Sequence, residues 1–266
     1  MIDLTKTTFI IPLMIESSDR YRNAKIILTY LNHHFNTNII IYEIIDNNSK
    51  LDFLNQLTNL NIKLICKENE GFFHRTKYLN IMLDMVETPI VVNYDVDVLL
   101  PIQDYINAEN LILNGDFDVV YPFGNNNNQI RLYNVLINDI FYKNPIINNI
   151  SFSYKDNMFS DVGFCVFFNT SVYKNGGGEN ENFISYGQED KERFYRFNTL
   201  GYKIKRFINN DIYHLEHIRT KDSNKTNPFF ENNSKIYREI KEMDKTQLHY
   251  YLNKQDYLNK YNFIKK

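Results

Sequence analysis

Two carboxylates follow an apolar, β-branched run in the first half of the chain. The run Pro89–Val98 contains Asp95 and Asp97 near its end, and its composition is typical of a fully buried parallel strand that ends where a ligand can sit. Residues two apart on an extended backbone project from one face, so both carboxylates are expected to converge on one ion. Such oxygen ligands suit Mg²⁺ or Mn²⁺, which bind diphosphates. We hypothesise that a nucleotide-sugar is held here; the alternative is a pair of solvated turn residues.

A second acid pair, Glu189 and Asp190, opens a predicted helix. Three glycines at 176–178 precede it in a loop, and Gly201 closes the helix at its C′ position. Sugar transfer needs a carboxylate within hydrogen-bond reach of the attacking hydroxyl, and this pair could supply one. Together with an acid pair for the metal, it favours a single displacement with inversion. The alternative is that acids in a first helical turn only complement the helix macrodipole.

Two histidines lie in the segment 211–219. Alternating residue types predict a strand there, so the odd spacing of His214 and His217 places them on opposite faces, and we do not expect them to share a metal. One of them could complete a site begun by Asp97, and an imidazole ligand would favour Mn²⁺ over Mg²⁺. The alternative is a half-buried strand histidine bonded to backbone.

Alternating strands and helices must position these groups. Before the central run, strands are predicted at 7–15, 38–45 and 62–66, with helices after the capping residues 16–19, at 51–60 and at 73–86. This order indicates an α/β fold with a mainly parallel central sheet flanked by helices. Ligands bind such sheets beyond the carboxyl ends of the strands, which is where Asp46, Asp95 and Asp97 fall.

The second half of the chain is less regular. A helix is predicted at 102–114 and a strand at 118–122, whereas residues 123–160 are polar, aromatic and irregular, as in an acceptor-side insertion or a mobile loop. The apolar run 161–168 contains Gly163, which permits close approach of a ligand or of another backbone segment.

Composition limits the classes of function. With 43% hydrophobic and 23% charged residues, the 266-residue chain has the composition of a soluble globular protein, and its net charge of −2 gives no reason to expect a nucleic-acid partner. From residue 203 onward, 14 Lys/Arg stand against 8 Asp/Glu. This basic C-terminal region could contact an anionic membrane surface peripherally or simply form a solvated helical face. Cys66 and Cys165 lie in apolar runs and are expected to be buried, reduced thiols of a cytoplasmic protein.

Five motifs occur in a fixed order: Phe9-Ile10-Ile11-Pro12, Phe73-His74-Arg75-Thr76-Lys77-Tyr78-Leu79-Asn80, Asp95-Val96-Asp97, Tyr186-Gly187-Gln188-Glu189-Asp190, and His217 followed by Asn227-Pro228. In combination they resemble the β-1,4-galactosyltransferase group and the related bacterial inverting glycosyltransferases with the GT-A fold, including chondroitin-polymerase-like domains. The resemblance covers residues 7–230. It implies a catalytic domain over 1–230, with a nucleotide-binding half (1–100) and an acceptor-binding half (101–230), followed by a helical extension over 231–266.

The resemblance also implies roles for the matched residues. Asp97 would ligate Mn²⁺ with His217 or, less closely matched, His214, and Asp190 would be the catalytic base beside an acceptor-binding Glu189. Gln188 stands where the family's loop has a glycine, and we expect it to restrict the loop's movement. The groups implied to bind the nucleotide-sugar are Asp46, Phe73, Arg75, Asp95, Asp97 and Tyr186.

The function implied is metal-dependent, inverting transfer of a hexose or N-acetylhexosamine from a UDP-sugar to a glycan acceptor. The expected setting is bacterial surface polysaccharide synthesis in the cytoplasm, at the inner face of the membrane if the basic region binds it. Two alternatives stay open: a nucleotidyltransferase, and a non-catalytic sugar- or partner-binding domain on a transferase scaffold. The residues do not specify the donor sugar, the acceptor or the oligomeric state.

Overall fold

The computed structural model of the chain describes residues 1–133, 154–157, 162–261 and 263. Within them, seven strands form a central sheet and four form a second sheet. The central strands are β1 (Ile2–Met14), β2 (Phe35–Ile45), β3 (Leu60–Glu68), β4 (Ile90–Tyr94), β6 (Val119–Tyr121), β9 (Cys165–Asn169) and β10 (Ile204–Arg206). The second sheet contains β5 (Val98–Leu99), β7 (Gln129–Tyr133), β8 (Tyr154–Asn157) and β11 (Ile212–Leu215).

The central sheet has the strand order β10-β6-β9-β4-β1-β2-β3. Strand β9 is antiparallel to both of its neighbours, and the other pairings are parallel. This confirms the predicted α/β fold with a mainly parallel sheet. Strands β1 and β4 pair in parallel, with Ile10 opposite Asn93, so the residues that follow each strand emerge at the same edge of the sheet. Strand β4 and the part of β1 from Thr7 onward are largely buried on both faces, which explains their apolar runs.

Helices flank the sheet, and the first of them begins at a side-chain cap. Ser17 caps α1, where its side chain accepts a hydrogen bond from the amide of Arg20, and Ile26, Ile27 and Leu31 form part of the buried face. The helices are α1 (Ser18–His34), α2 (Arg75–Asp84), α3 (Ile102–Leu113), α4 (Thr170–Asn175), α5 (Glu189–Leu200), α6 (Phe230–Lys241), α7 (Lys245–Asn253) and α8 (Asp256–Tyr261).

Two predictions of local structure are wrong. Residues 51–60 form a 3₁₀ turn at Leu54–Gln56 and not a helix. Residues 123–160 are not irregular throughout, since β7 and β8 lie within them and pair with each other. Residues 134–153 and 158–160 of that segment lie outside the described residues.

The helices after residue 230 belong to the same hydrophobic core as the sheet. Ile240, Leu248, Leu252 and Leu258 are buried in that core, one or two on each helix. In the described part of the chain, no helix is both long and apolar enough to cross a membrane. Cys165 is buried as predicted, whereas Cys66 is exposed, because β3 is the edge strand of the sheet.

Candidate active site

A cleft of about 560 Å³ lies at the carboxyl ends of β1 and β4. This is the edge at which parallel α/β sheets bind their ligands. Pro12, Leu13 and Met14 line it from the end of β1. The predicted site residues that also line it are Phe73, Arg75, Asp95, Asp97, Tyr186, Glu189, Asp190, His214 and His217. The structure therefore brings into one cleft acidic and imidazole groups that are far apart in the sequence.

Asp46 is the predicted site residue that lies outside the lining of this cleft. It follows β2, is exposed, and accepts a hydrogen bond from the side-chain amide of Asn69 (3.1 Å). Because β1 separates β2 from β4 in the sheet, the end of β2 is one strand further from the acid pair. The nucleotide-sugar contact that the resemblance implies for Asp46 gains no support from this position.

Asp95 and Asp97 diverge, so the expectation that they converge on one ion is wrong. Strand β4 ends at Tyr94, and the next residues turn, with the amide of Val98 bonded to the carbonyl of Asp95 (3.3 Å). The alternation of an extended backbone therefore stops before the pair. The Asp95 carboxylate faces Arg75 (2.7 Å), whereas Asp97 faces His217 (3.1 Å).

Asp97, His214 and His217 form a cluster whose ligand atoms all lie within 4.8 Å of one another. His217 Nε2 is 3.1 Å from Asp97 Oδ2, and His214 Nε2 is 3.8 Å from Asp97 Oδ1. The prediction that the two histidines lie on opposite faces is wrong, because β11 ends at Leu215 and strand alternation does not reach His217. The amide of Leu215 bonds to the carbonyl of Asp97 (2.7 Å), which fixes the two segments together.

The residues of this cluster fit a divalent metal. His217 Nδ1 donates to the carbonyl of Ile218 (2.9 Å), which leaves Nε2 on the side of Asp97. Metal-bound histidines commonly bond through their second nitrogen to such a backbone carbonyl. His214 Nδ1 lies 3.5 Å from Glu216 Oε2 without a hydrogen bond. One carboxylate with two imidazoles is a donor set that suits Mn²⁺ better than Ca²⁺ or Mg²⁺.

The pKa values of Asp97 and His214 favour the forms of these side chains that can bind a metal. Burial lowers the pKa of His214 to about 4, against the opposing effect of Asp97, so the imidazole is neutral at pH 7 and has a lone pair available. Burial raises the pKa of Asp97, but His214 and then His217 outweigh burial and hold that pKa below its usual range. The Asp97 carboxyl group is therefore ionised near neutral pH.

Arg75 connects the two acid pairs. It is the first residue of α2, and its guanidinium donates to Asp95 (2.7 Å), Asn93 (3.2 Å) and Asp190 (3.3 Å). The resemblance implies that Arg75 binds the nucleotide-sugar; Arg75 lines the cleft, and its guanidinium contacts carboxylates of the protein. Arg75 thus holds the group after β4 against the group that opens α5.

Glu189 and Asp190 form the first turn of α5, as predicted. Burial raises the pKa of Asp190, but Arg75 and then Arg193 outweigh it, so the pKa lies below its usual range and the carboxylate is ionised. Burial and the neighbouring charge of Asp190 raise the pKa of Glu189, which favours the protonated form. Two adjacent carboxyl groups in different protonation states are a usual arrangement for acid–base chemistry.

Gly163 sets the position of the Asp190 carboxylate. A Cβ atom at residue 163 would lie 2.5 Å from Asp190 Oδ2, which is closer than Cβ atoms approach other heavy atoms. The predicted close approach at this glycine is therefore present, and its partner is a carboxylate. Both arginines donate to Oδ1, and Oδ2 is the oxygen beside Gly163.

The loop before α5 is held by the C-terminal helices. Asn233 of α6 is fully buried and donates to the carbonyls of Ile184 (2.9 Å) and Tyr186 (3.1 Å). The ring of Tyr186 stacks on Phe230 at 6.0 Å. Gln188 has a left-handed backbone (φ +70°), a conformation that favours glycine, and the resemblance places a glycine at this position.

The sequence analysis missed three residues that organise the site. Glu179 and Arg193 form a fully buried ion pair beside Asp190, and Asn233 fixes the loop. The i, i+3 spacing of Asp190 and Arg193 on a helix could have indicated their contact. The contacts of Glu179 and Asn233 cross long stretches of chain and have no local signal.

Known proteins share this architecture. A family model for the N-terminal domain of galactosyltransferase matches residues 144–220. The structure of S. aureus TarS in complex with UDP-GlcNAc is 12% identical, with a TM-score of 0.58 over 92% of this chain and 69% of that one. Drosophila β1,4-galactosyltransferase 7 in complex with manganese, UDP-Gal and xylobiose is 14% identical, with a TM-score of 0.53 over 88% of this chain and 80% of that one.

A search of curated proteins found no match. The structural likenesses identify the fold as the GT-A fold of glycosyltransferases, as predicted. The predicted resemblance to galactosyltransferases and to bacterial proteins of this fold is confirmed.

Proposed function

We propose that the chain is a metal-dependent, inverting glycosyltransferase that moves a hexose or an N-acetylhexosamine from a UDP-sugar to a glycan acceptor. The observation that carries the proposal is the pairing, in one cleft, of a carboxylate and two imidazoles at one end with Glu189 and Asp190 at the other. The choice of donor and metal is supported by the two solved structures reported above, which are complexes with UDP-GlcNAc and with manganese and UDP-Gal.

The metal and nucleotide end supports departure of UDP. A divalent cation, Mn²⁺ or Mg²⁺, held by Asp97, His214 and His217 would offset the negative charge that grows on the leaving diphosphate. Asp95 is fixed by Arg75 and would contact the ribose or the donor sugar. Phe73 and Tyr186, which also line the cleft, would bound the nucleotide and the space between donor and acceptor.

The acid pair on α5 supports attack by the acceptor. In a single displacement, the acceptor hydroxyl loses its proton as its oxygen bonds to the anomeric carbon and the bond to the diphosphate breaks. Asp190 is ionised and would take that proton through Oδ2, the oxygen beside Gly163. Glu189, with its raised pKa, would orient the acceptor by a hydrogen bond. Attack on the face opposite UDP inverts the anomeric configuration.

The cellular setting is part of the same proposal. Synthesis of a bacterial surface polysaccharide in the cytoplasm, at the inner face of the membrane, fits a UDP-sugar donor. The basic C-terminal region would supply peripheral contact, since α6 ends with Arg238 and Lys241 in its last turn.

The first test is binding. UDP-sugars that differ at one hydroxyl or in one acetamido group are compared by thermal shift with Mn²⁺ and with EDTA. A true donor binds the folded state and raises the melting temperature by mass action, and this rise should disappear in EDTA. Absence of any metal-dependent rise for every UDP-sugar would reject the proposal.

The second test separates transfer from the two alternatives. The proposed enzyme releases UDP from the preferred donor, and a product formed with a glycan acceptor should carry the inverted anomeric configuration by NMR. A nucleotidyltransferase would release pyrophosphate from a nucleoside triphosphate. A binding domain would show the thermal shift without release of UDP.

A further inference from the structure

Arg193 is the more deeply buried of the two arginines that contact Asp190. It lies one helical turn after Asp190 on α5 and is 1% exposed. Its two terminal nitrogens contact different carboxylates: Nη1 donates to Glu179 (2.7 Å) and Nη2 donates to Asp190 (2.7 Å). Nη2 also reaches the carbonyl of Val162 (3.2 Å), directly before Gly163. The side chain thus touches both the carboxylate proposed as base and the backbone beside it.

Glu179 fixes Arg193 in that place. It is 1% exposed, and its Oε1 also accepts hydrogen bonds from the hydroxyl of Tyr173 and from the side-chain amide of Asn93. A buried carboxylate without a cation is strongly unfavourable. Arg193 therefore cannot leave Glu179 at low cost, and its second nitrogen stays where Asp190 needs it.

Charged and titratable groups face Asp190 from every element that surrounds it. The two cations outweigh burial and lower the pKa of its carboxyl group. The groups are Arg75 of α2, Asp95 after β4, Tyr121 of β6, and Glu189 and Arg193 of α5.

We propose that Arg193, anchored by Glu179, is a positioning residue that fixes Oδ1 of Asp190 and leaves Oδ2 as the oxygen that receives the acceptor proton. This inference rests on the proposed function, in which Asp190 is the base. In the step concerned, the acceptor O–H bond breaks and its proton goes to Oδ2. The acceptor oxygen bonds to the anomeric carbon, and the electron pair of the cleaved bond leaves with UDP.

Helix α5 contains a second buried ion pair, which does not contact Asp190. Glu192 and Arg196 are also a buried ion pair, with a contact of 2.7 Å and exposures of 1% and 0%. The guanidinium of Arg196 bonds instead to the carbonyls of Gly176 and Gly178. The two pairs have the same chemistry and similar burial, and they differ in contact with Asp190.

The experiment compares two charge-neutral double variants, Glu179→Gln/Arg193→Gln and Glu192→Gln/Arg196→Gln. Both should lower the melting temperature, because each loses a buried ion pair. With the donor chosen above, the first should lose at least about tenfold in kcat, as expected for a misplaced catalytic group, with KM for the donor within about twofold. Its acid limb in kcat/KM should also move to higher pH, whereas the second variant should keep the wild-type profile.

A second variant and a second readout keep the inference testable if a double variant does not fold. Arg193→Lys keeps the charge and loses the two-pronged bridge, so kcat should fall while the acid limb stays in place. Carbon-13 NMR of the Asp190 carboxyl, assigned by comparison with Asp190→Asn, should show a higher pKa in Glu179→Gln/Arg193→Gln than in the wild type and in the matched variant.

The outcomes distinguish the two hypotheses. If the NMR titration and the pH profile of Glu179→Gln/Arg193→Gln match those of the wild type, the positioning role is rejected while the transferase proposal stands. If the wild type does not turn over any UDP-sugar, the proposed function fails, and the NMR titration still decides whether Arg193 controls Asp190. If all charge variants shift the profile equally, the effect is general and the inference is overturned.

Discussion

The two ends of the cleft hold their negative charges in opposite ways. At the metal end, Asp97 faces two imidazoles, of which His214 is neutral at pH 7. At the transfer end, Asp190 contacts the guanidinium groups of Arg75 and Arg193. The carboxylate of Asp190 is thus in direct contact with permanent cations, whereas the carboxylate of Asp97 is in direct contact with imidazoles that fit a bound metal.

This difference indicates which chemistry each end can do. A carboxylate among neutral nitrogen ligands attracts a divalent cation. A carboxylate against two arginines is ionised at all pH values of interest, although the same arginines make it a weaker base. Arg75 contacts Asp95 and Asp190 and therefore joins the residues after β4 to the first turn of α5.

The largest effect is expected at the transfer end. Asp190→Asn removes the proton acceptor and should lower kcat by about 10³-fold, within the range for loss of a general base. The affinity for UDP with Mn²⁺ should stay within about twofold, because the metal end is untouched. UDP release and titration calorimetry measure the two quantities.

Glu189→Gln is the matched control from the same helical turn. Because its raised pKa favours a protonated carboxyl group in the wild type, an amide mimics it and the loss should be about tenfold or less. Retained turnover in Asp190→Asn, with a larger loss in Glu189→Gln, would transfer the role of base to Glu189.

Substitutions at the metal end should weaken the Mn²⁺-dependent binding of UDP. Asp97→Ala should weaken Mn²⁺-dependent UDP binding by about 100-fold, and EDTA should have a similar effect on the wild type but little further effect on the variant. His214→Ala and His217→Ala should each weaken it, by about tenfold or more, if both imidazoles ligate. Calorimetry with and without Mn²⁺ decides this, and an effect confined to one histidine would reduce the cluster to two ligands.

The sequence allows prediction of the fold, because the fold follows from local patterns. Apolar runs and helical spacing specify the alternating elements, and parallel strands deliver their ends to one edge. Those rules place Asp95 and Asp97 at the ligand-binding edge, together with Asp46, which lies outside the lining of the cleft. They do not place Glu189 and Asp190 there; the needs of sugar transfer and the resemblance assign those residues to the site.

The finer geometry depends on contacts that no local pattern encodes. The turn that separates Asp95 from Asp97 is fixed by a hydrogen bond from the Asp95 amide to the carbonyl of Phe164 (2.7 Å). The histidines converge because β11 stops at Leu215. Glu179 and Asn233 reach their partners through tertiary packing, which a single sequence does not reveal.

A smaller change tests the position of the base without removing it. Gly163→Ala adds a methyl group 2.5 Å from Asp190 Oδ2, so the carboxylate must move. Because misplacement of a catalytic group by about 1 Å can cost about 100-fold, we expect kcat to fall by about 10- to 100-fold with UDP affinity unchanged. Equal losses in kcat and in UDP affinity would mean that the methyl group disturbs the whole cleft and not the transfer end alone.

Helix α6 offers a test of the loop that precedes Glu189. Asn233→Ala leaves two loop carbonyls without their donor and should lower the free energy of unfolding by about 1–3 kcal/mol. Denaturant titration measures this, with the exposed neighbour Asn232→Ala as the control, for which about 0.5 kcal/mol or less is expected. KM for the acceptor should rise in Asn233→Ala. An equal response of the two variants would show that α6 does not influence the site.

Asp104 extends the contrast between carboxylates with and without a nearby cation, and it should give the smallest effect. It is buried on α3 and accepts a hydrogen bond from the neutral amide of Asn210 (2.6 Å), and burial raises its pKa to about 6. The folded state then binds the proton more tightly than the unfolded chain, whose pKa is near 4. Its contribution to stability is therefore complete below about pH 4 and is lost as pH rises through about 6.

Asp104→Asn cannot titrate, so the wild type should lose about 1–2 kcal/mol of unfolding free energy relative to the variant between pH 4 and pH 7. Denaturant titrations at several pH values measure that difference, and only the change with pH matters, because the substitution also alters the hydrogen bond to Asn210. Parallel pH curves for the two proteins would show that burial does not raise the pKa of Asp104. The comparison between carboxylates with and without arginine partners would then have no support.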